Sequence, residues 1–184
     1  MTKSSLFSQI SPPHKGVWGT EQVICGIGNT HILKFLQTVQ PTSVQIHPRS
    51  SGILPEQDGE IWWITHAETK SRLYIGFSKE VNRQEVVQHI QNGKITSLMC
   101  SYQPVPGDCF VVPAGTIHAL GGGISLLEIR PENASTFRLY DWGREKNDHT
   151  ERKLHFDEAL SILNIHVLSG DYRLNLKGGQ NEMV

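Results

Sequence analysis

Cysteine is scarce in this chain. Among 184 residues there are three, Cys25, Cys100 and Cys109, and no two of them form a CxxC pair. So small, odd and scattered a set excludes a secreted disulfide framework and points to a reducing, cytoplasmic setting. Long apolar runs are missing as well. No stretch approaches the roughly 18 residues that a membrane-spanning helix needs, and the N-terminal MTKSSLFSQISPPHKGVWG contains nothing like a signal peptide. Nor does charge of one sign dominate: 17 basic residues face 18 acidic ones, for a net charge of −1, with no long block of either. Neither nucleic acid nor a membrane surface is therefore expected as a partner. With no repeat of solenoid length and no low-complexity tract, residues 1–184 read as one domain. A core of that size folds without disulfides or metal, so any metal would serve function rather than folding.

What the chain does contain is a series of short segments rich in β-branched and aromatic residues, separated by Gly, Pro and Asn. They are HILKFLQTV, TSVQIHP, GEIWWITHAET, SRLYIGFS, GDCFVVPAG, TIHAL, ISLLEIRP and STFRLYDW. Strand length and regular turn spacing predict an all-β sandwich or barrel. Two segments depart from this pattern. SKEVNRQEVVQHIQNG predicts an inserted helix, with Ser78 as its cap, Val81, Val86, Val87 and Ile90 at helical spacing, and Gly93 as its stop. HFDEALSILN predicts a short C-terminal helix capped by Asp157, with Ala159, Leu160 and Leu163 on one side.

The residues able to carry chemistry lie on the predicted strands. In SVQIHP, alternation places Gln45 and His47 on one face and Val44 and Ile46 on the other. Glu60 opens the apolar segment EIWWI, where a carboxylate needs a partner and a cation is an efficient one; as an edge-strand charge it would instead discourage aggregation. His118 is presented by GDCFVVPAGTIHALG, a stretch unusually dense in conformationally special residues. Gln45, His47, Glu60 and His118 together offer two imidazoles, a carboxylate and an amide oxygen. Such a set suits Zn2+, and also iron, nickel, manganese or cobalt. His31, His66, His89, His149, His155 and His166 lack any such pattern and read as ordinary polar residues.

The spacing Gly107-x5-Pro113-x-Gly115-x2-His118 resembles the second motif of the cupin superfamily. Together with SVQIHP, PGDCFVVPAGTIHALGGGISLLEI, TFRLYDWGR and RKLHFDEAL, in that order, the chain is similar to the short type I mannose-6-phosphate isomerases over roughly Ser43 to Leu163. The resemblance implies a cupin jelly-roll barrel with a metal-binding core at about 31–142 and a C-terminal helix and tail at about 155–184. It places the metal ligands on the same four residues. It further implies a proton-transferring carboxylate at Glu128, an essential arginine at Arg138 and a substrate-binding basic residue at Arg144. The family's lysine two residues before the metal glutamate is replaced here by Asp58, taken as a substrate-binding position of altered charge. The implied reaction interconverts mannose 6-phosphate and fructose 6-phosphate, with the phosphosugar as partner and room for a homodimer. A metal-dependent cupin acting on another sugar or polyol, or a non-catalytic sugar-binding cupin, are the alternatives.

Overall fold

In the computed structural model the described residues are 10–49, 59–146, 152–167 and 171–174. Twelve strands form two antiparallel sheets. In chain order they are β1 (His14–Gly16), β2 (Gly19–Ile27), β3 (His31–Thr38), β4 (Val44–Ile46), β5 (Glu60–Ala67), β6 (Leu73–Phe77), β7 (Met99–Tyr102), β8 (Cys109–Val112), β9 (His118–Leu120), β10 (Ile124–Pro131), β11 (Phe137–Tyr140) and β12 (Arg173–Leu174). One sheet runs β1-β2-β3-β10-β5-β8-β12 and the other β11-β4-β9-β6-β7. Neighbours distant in sequence, such as β3 with β10 or β4 with β9, give the jelly-roll connectivity.

The eight predicted strand segments are all present. Four strands lack a counterpart in the prediction: β1, β2, β7 and β12. The sequence of β2, GTEQVICGI, mixes Gly, polar and small residues and is half-buried along most of its length, so it forms mainly because β3 pairs with it. Strand formation there follows tertiary pairing rather than intrinsic preference.

Alternation along the strands divides the apolar residues into two layers. Leu36, Trp62, Ile64, Phe110, Val112, Ile124 and Leu126 from the larger sheet pack between the sheets against Leu73, Ile75 and Leu120 of the smaller one, and Tyr172 joins them. On the far side of the smaller sheet, Val44, Ile46, Ile117, Ala119 and Leu139 are covered by two helices, α1 (Arg83–Gln91) and α2 (Phe156–Ile162). Ile46 and Ile75 are each 0% exposed. Enclosing a side chain of that size contributes about 1.5–3 kcal/mol.

Both helices fall where the sequence predicts, but their caps differ. α1 starts at Asn82, whose side chain accepts from the Glu85 N–H, and the predicted cap Ser78 instead donates its hydroxyl to the Leu98 carbonyl. Ser78 lies too far upstream to reach the first free N–H groups. The helix closes at Asn92 with Gly93 just beyond it at φ +65°. α2 is capped by the backbone of His155, without a side-chain bond; Asp157 lies in its first turn, where its charge favours the helix dipole.

Candidate metal centre and active site

The inner face of the smaller sheet is read off its register. Gln45 on β4 pairs directly with His118 on β9, and Arg138 on β11 pairs with Gln45, so the three side chains form a row across adjacent strands. His47, just past the end of β4, projects to the same side as Gln45. Its carbonyl accepts the Gly115 N–H, and the Gly115 carbonyl in turn accepts the Asn164 N–H. Gly115 has φ +80°, a conformation that disfavours any side chain. This glycine therefore ties the turn before His118 to His47 on one side and to the segment after α2 on the other. Glu60 enters from the opposite sheet, on the same inner face as Trp62 and Ile64.

The ligand atoms of His47, Glu60 and His118 all lie within 4.8 Å of one another, and each residue is buried. His47 Nε2 is 2.9 Å from Glu60 Oε1, and His118 Nε2 is 3.8 Å from Glu60 Oε2. The Gln45 amide lies 3.4 Å from both imidazole Nε2 atoms, and its Oε1 accepts from Ser43 Oγ. Rotating that amide by 180° would turn its oxygen to the imidazoles while keeping a bond to Ser43, since a hydroxyl accepts as well as donates.

The outer nitrogens decide what these groups can do. His47 Nδ1 donates to the Ser135 carbonyl at 2.8 Å, and His118 Nδ1 donates to the Thr116 carbonyl at 2.9 Å. When neutral, each imidazole then turns an Nε2 lone pair inward, towards the buried Glu60 carboxylate, whose Oε1 also lies 3.3 Å from Arg130 Nη1. Converging lone pairs with fixed outer hydrogen bonds are the arrangement that histidine ligands take around a metal. Two imidazoles, a carboxylate and an amide fit a divalent transition ion.

The same convergence appears in the proton affinities. Burial opposes ionisation of Glu60, yet His47, His118 and Arg130 together hold it well below the usual carboxylate range. Burial also works against a charged His47, but the Glu60 carboxylate outweighs it and the net shift is upward. His118 is pulled down to about 4 by burial and then by the charge of His47.

No protein-family model matches the chain. The mannose-6-phosphate isomerase of Streptococcus mutans is 31% identical over 139 residues, covering 73% of this chain and 43% of the relative. The crystal structure of the Bacillus subtilis mannose 6-phosphate isomerase superposes with a TM-score of 0.66 at 28% identity, over 77% of this chain and 46% of that one. The chain belongs to the mannose-6-phosphate isomerase family. It spans about half the length of these relatives. A Salmonella typhimurium mannose 6-phosphate isomerase structure, with fructose 6-phosphate and zinc bound, shares the fold at 14% identity and a TM-score of 0.53, over 82% of this chain and 58% of that one.

Around the four candidate ligands lies a second group of charged residues. Glu128, 4% exposed on β10, stands opposite Trp62 on one side and Lys34 on the other. Burial, with the Glu60 charge close by, pushes its carboxyl up to about 7. Arg138 is half-buried beside Gln45, and its Nε has no hydrogen-bond partner among the described residues. Burial and then the charge of Arg152 lower its proton affinity, with Asp141 opposing. Arg144 lies further out: its guanidinium donates to Asp141 Oδ1 at 2.7 Å and to the Pro41 carbonyl at 2.8 Å. Asp58 lies outside the described residues.

Three inward-facing residues are not among the site residues that the sequence suggests, Trp62 reading there as a core or pocket-wall residue. Arg130 places Nη1 3.3 Å from Glu60 Oε1 and 4.0 Å from Glu128 Oε2, and anchors Nη2 on the Ala134 carbonyl. Lys34, in register with Glu128, pairs with Glu21 at 3.0 Å. Trp62 directs its indole N–H at Glu60 and Glu128. Period-two alternation carried the signal for the two cations, since Lys34 shares a face with Ile32 and Leu36, and Arg130 with Glu128. Nothing in the sequence distinguishes Trp62 from a core tryptophan.

Proposed function

We propose that this chain is a zinc-dependent aldose–ketose isomerase interconverting mannose 6-phosphate and fructose 6-phosphate. The observation that carries the reading is the convergence of His47, Glu60 and His118, whose ligand atoms all lie within 4.8 Å of one another, with Glu128 on the same sheet as Glu60 and Arg138 beside Gln45 on the facing sheet. Gln45, His47, Glu60 and His118 would hold the ion. When bound, zinc supplies polarisation of the sugar's carbonyl and neighbouring hydroxyl.

The other roles fall to the chain's own residues. The isomerisation moves a proton between the two carbons of an enediol, and the transferring group must remove it and return it near neutral pH. Glu128, with its proton affinity raised to about 7, is suited to that exchange. Arg138 offers a buried, unpartnered N–H to the developing negative charge or to the phosphate. Arg144 is proposed as a substrate contact further from the ion, and Asp58 as a second substrate-binding residue.

Free cysteines and the phosphosugar substrate favour a cytoplasmic location; among the described residues no helix is long and apolar enough to cross a membrane. A coupled assay with mannose 6-phosphate on zinc-loaded protein tests the proposal. Wild type should turn over, while Glu128→Gln and Arg138→Ala should each lose about 100-fold or more in kcat. No turnover by the metal-loaded wild type would defeat the isomerase reading. Unchanged turnover in both variants would defeat the role assignments.

A further inference from the structure

The two oxygens of Glu60 are not equivalent. Oε1 lies 2.9 Å from His47 Nε2 and 3.3 Å from Arg130 Nη1, whereas Oε2 accepts the Trp62 indole N–H at 3.2 Å. The same N–H lies 3.3 Å from Glu128 Oε1. Trp62 can reach both because it sits two residues beyond Glu60 on one face of β5 and directly across from Glu128 on β10. Its ring also meets that of His118 edge-on, with centroids 5.6 Å apart and planes at 73°. At 1% exposure, no bulk water competes for this donor. An indole donates one hydrogen and accepts none, so a single N–H is shared between a candidate metal ligand and the candidate proton carrier.

We infer that Trp62 is a positioning residue that restricts Glu60 to a one-oxygen contact with the bound ion and couples that ligand to Glu128. This rests on the metal-dependent isomerase reading above. With Oε2 held by the indole and 3.8 Å from His118 Nε2, Oε1, at 2.9 Å from His47 Nε2, is the oxygen nearer an imidazole. Without that bond the carboxylate is free to turn and offer both oxygens, occupying a position that a catalytic site keeps open for substrate. Phenylalanine would preserve the edge contact with His118 and remove the donor.

The test is a Co2+ titration of wild type and Trp62→Phe, followed by visible absorption. Wild type should bind Co2+ with the intense band of a low-coordinate site. Trp62→Phe should bind about 10- to 100-fold more weakly, the usual consequence of losing a group that orients a ligand, with a weaker band of higher coordination. Equal affinity and an identical spectrum in the folded variant overturn the inference alone. Absence of Co2+ uptake by wild type overturns the metal reading and the inference with it. Should Trp62→Phe fail to fold, 15N spectra of wild type and Glu128→Gln give the answer. The indole signal most broadened by Co2+ should move when Glu128 is neutralised, and an unmoved signal overturns the inference.

Discussion

Replacing Glu60 by Gln separates its role as a metal ligand from its role as a buried charge. In the metal-free protein, Arg130 lies 3.3 Å from Glu60 and 4.0 Å from Glu128, so the substitution leaves the guanidinium with its more distant partner. Breaking a buried ion pair costs about 3 kcal/mol at the low end of the measured range. The new amide partly offsets this, because its N–H can donate to His47 Nε2, worth about 1 kcal/mol. The net loss of about 2 kcal/mol corresponds to a Tm lower by about 4–8 °C in a chain of this size. Zinc should then act on the two proteins differently. At 100-fold excess over Kd a bound ion stabilises the folded state by about 2.7 kcal/mol, or about 5–11 °C in wild type. Glu60→Gln should show little of that rise. Thermal melts of both proteins in zinc and in chelator provide the four values needed. A zinc-dependent rise of wild-type size in Glu60→Gln would refute Glu60 as a ligand, and a wild type indifferent to chelator would refute the metal centre.

Other substitutions test the frame around the site. Asp141 is 0% exposed and accepts from both Arg144 and Arg152. Asp141→Ala should therefore lose about 3 kcal/mol, the low end because both arginines keep some solvent access, and a thermal melt within about 2 °C of wild type would contradict this. Gly76 adopts φ +67°, and a Cβ there would stand 2.2 Å from Tyr172 Oη. Gly76→Ala should cost about 2–4 kcal/mol in urea unfolding, combining backbone strain with overpacking. Asn82→Ala should remove about 1 kcal/mol by uncapping α1. Ser78→Ala should leave that helix end intact, as amide exchange at Glu85 would report.

Much of the site was legible because strand alternation is local. SVQIHP alone places Gln45 and His47 on one face, and the apolar residues after Glu60 mark that carboxylate as entering an interior. The Gly-rich turn before His118 likewise announces a backbone that only glycine adopts easily. By contrast, β2 and β12 have no strong pattern of their own and depend on the partners that pair with them. The helix caps were misplaced by a few residues because Ser78, Asn82 and Asp157 all have the chemistry of a cap, and only the path of the backbone selects among them.

The sequence by itself determined which residue types could meet a cation and which face of each strand would carry them, since side-chain direction follows from backbone period. It also determined the resemblance on which Glu128, Arg138 and Arg144 were chosen. Only the tertiary structure decided that Glu60 crosses from one sheet to meet His47 and His118 on the other, that Arg130 and Lys34 join the same inner wall, and that Trp62 divides one N–H between two carboxylates. Trp62 and Glu128, for example, are 66 positions apart in sequence. The geometry of these contacts depends on how two sheets pack, which no local pattern encodes.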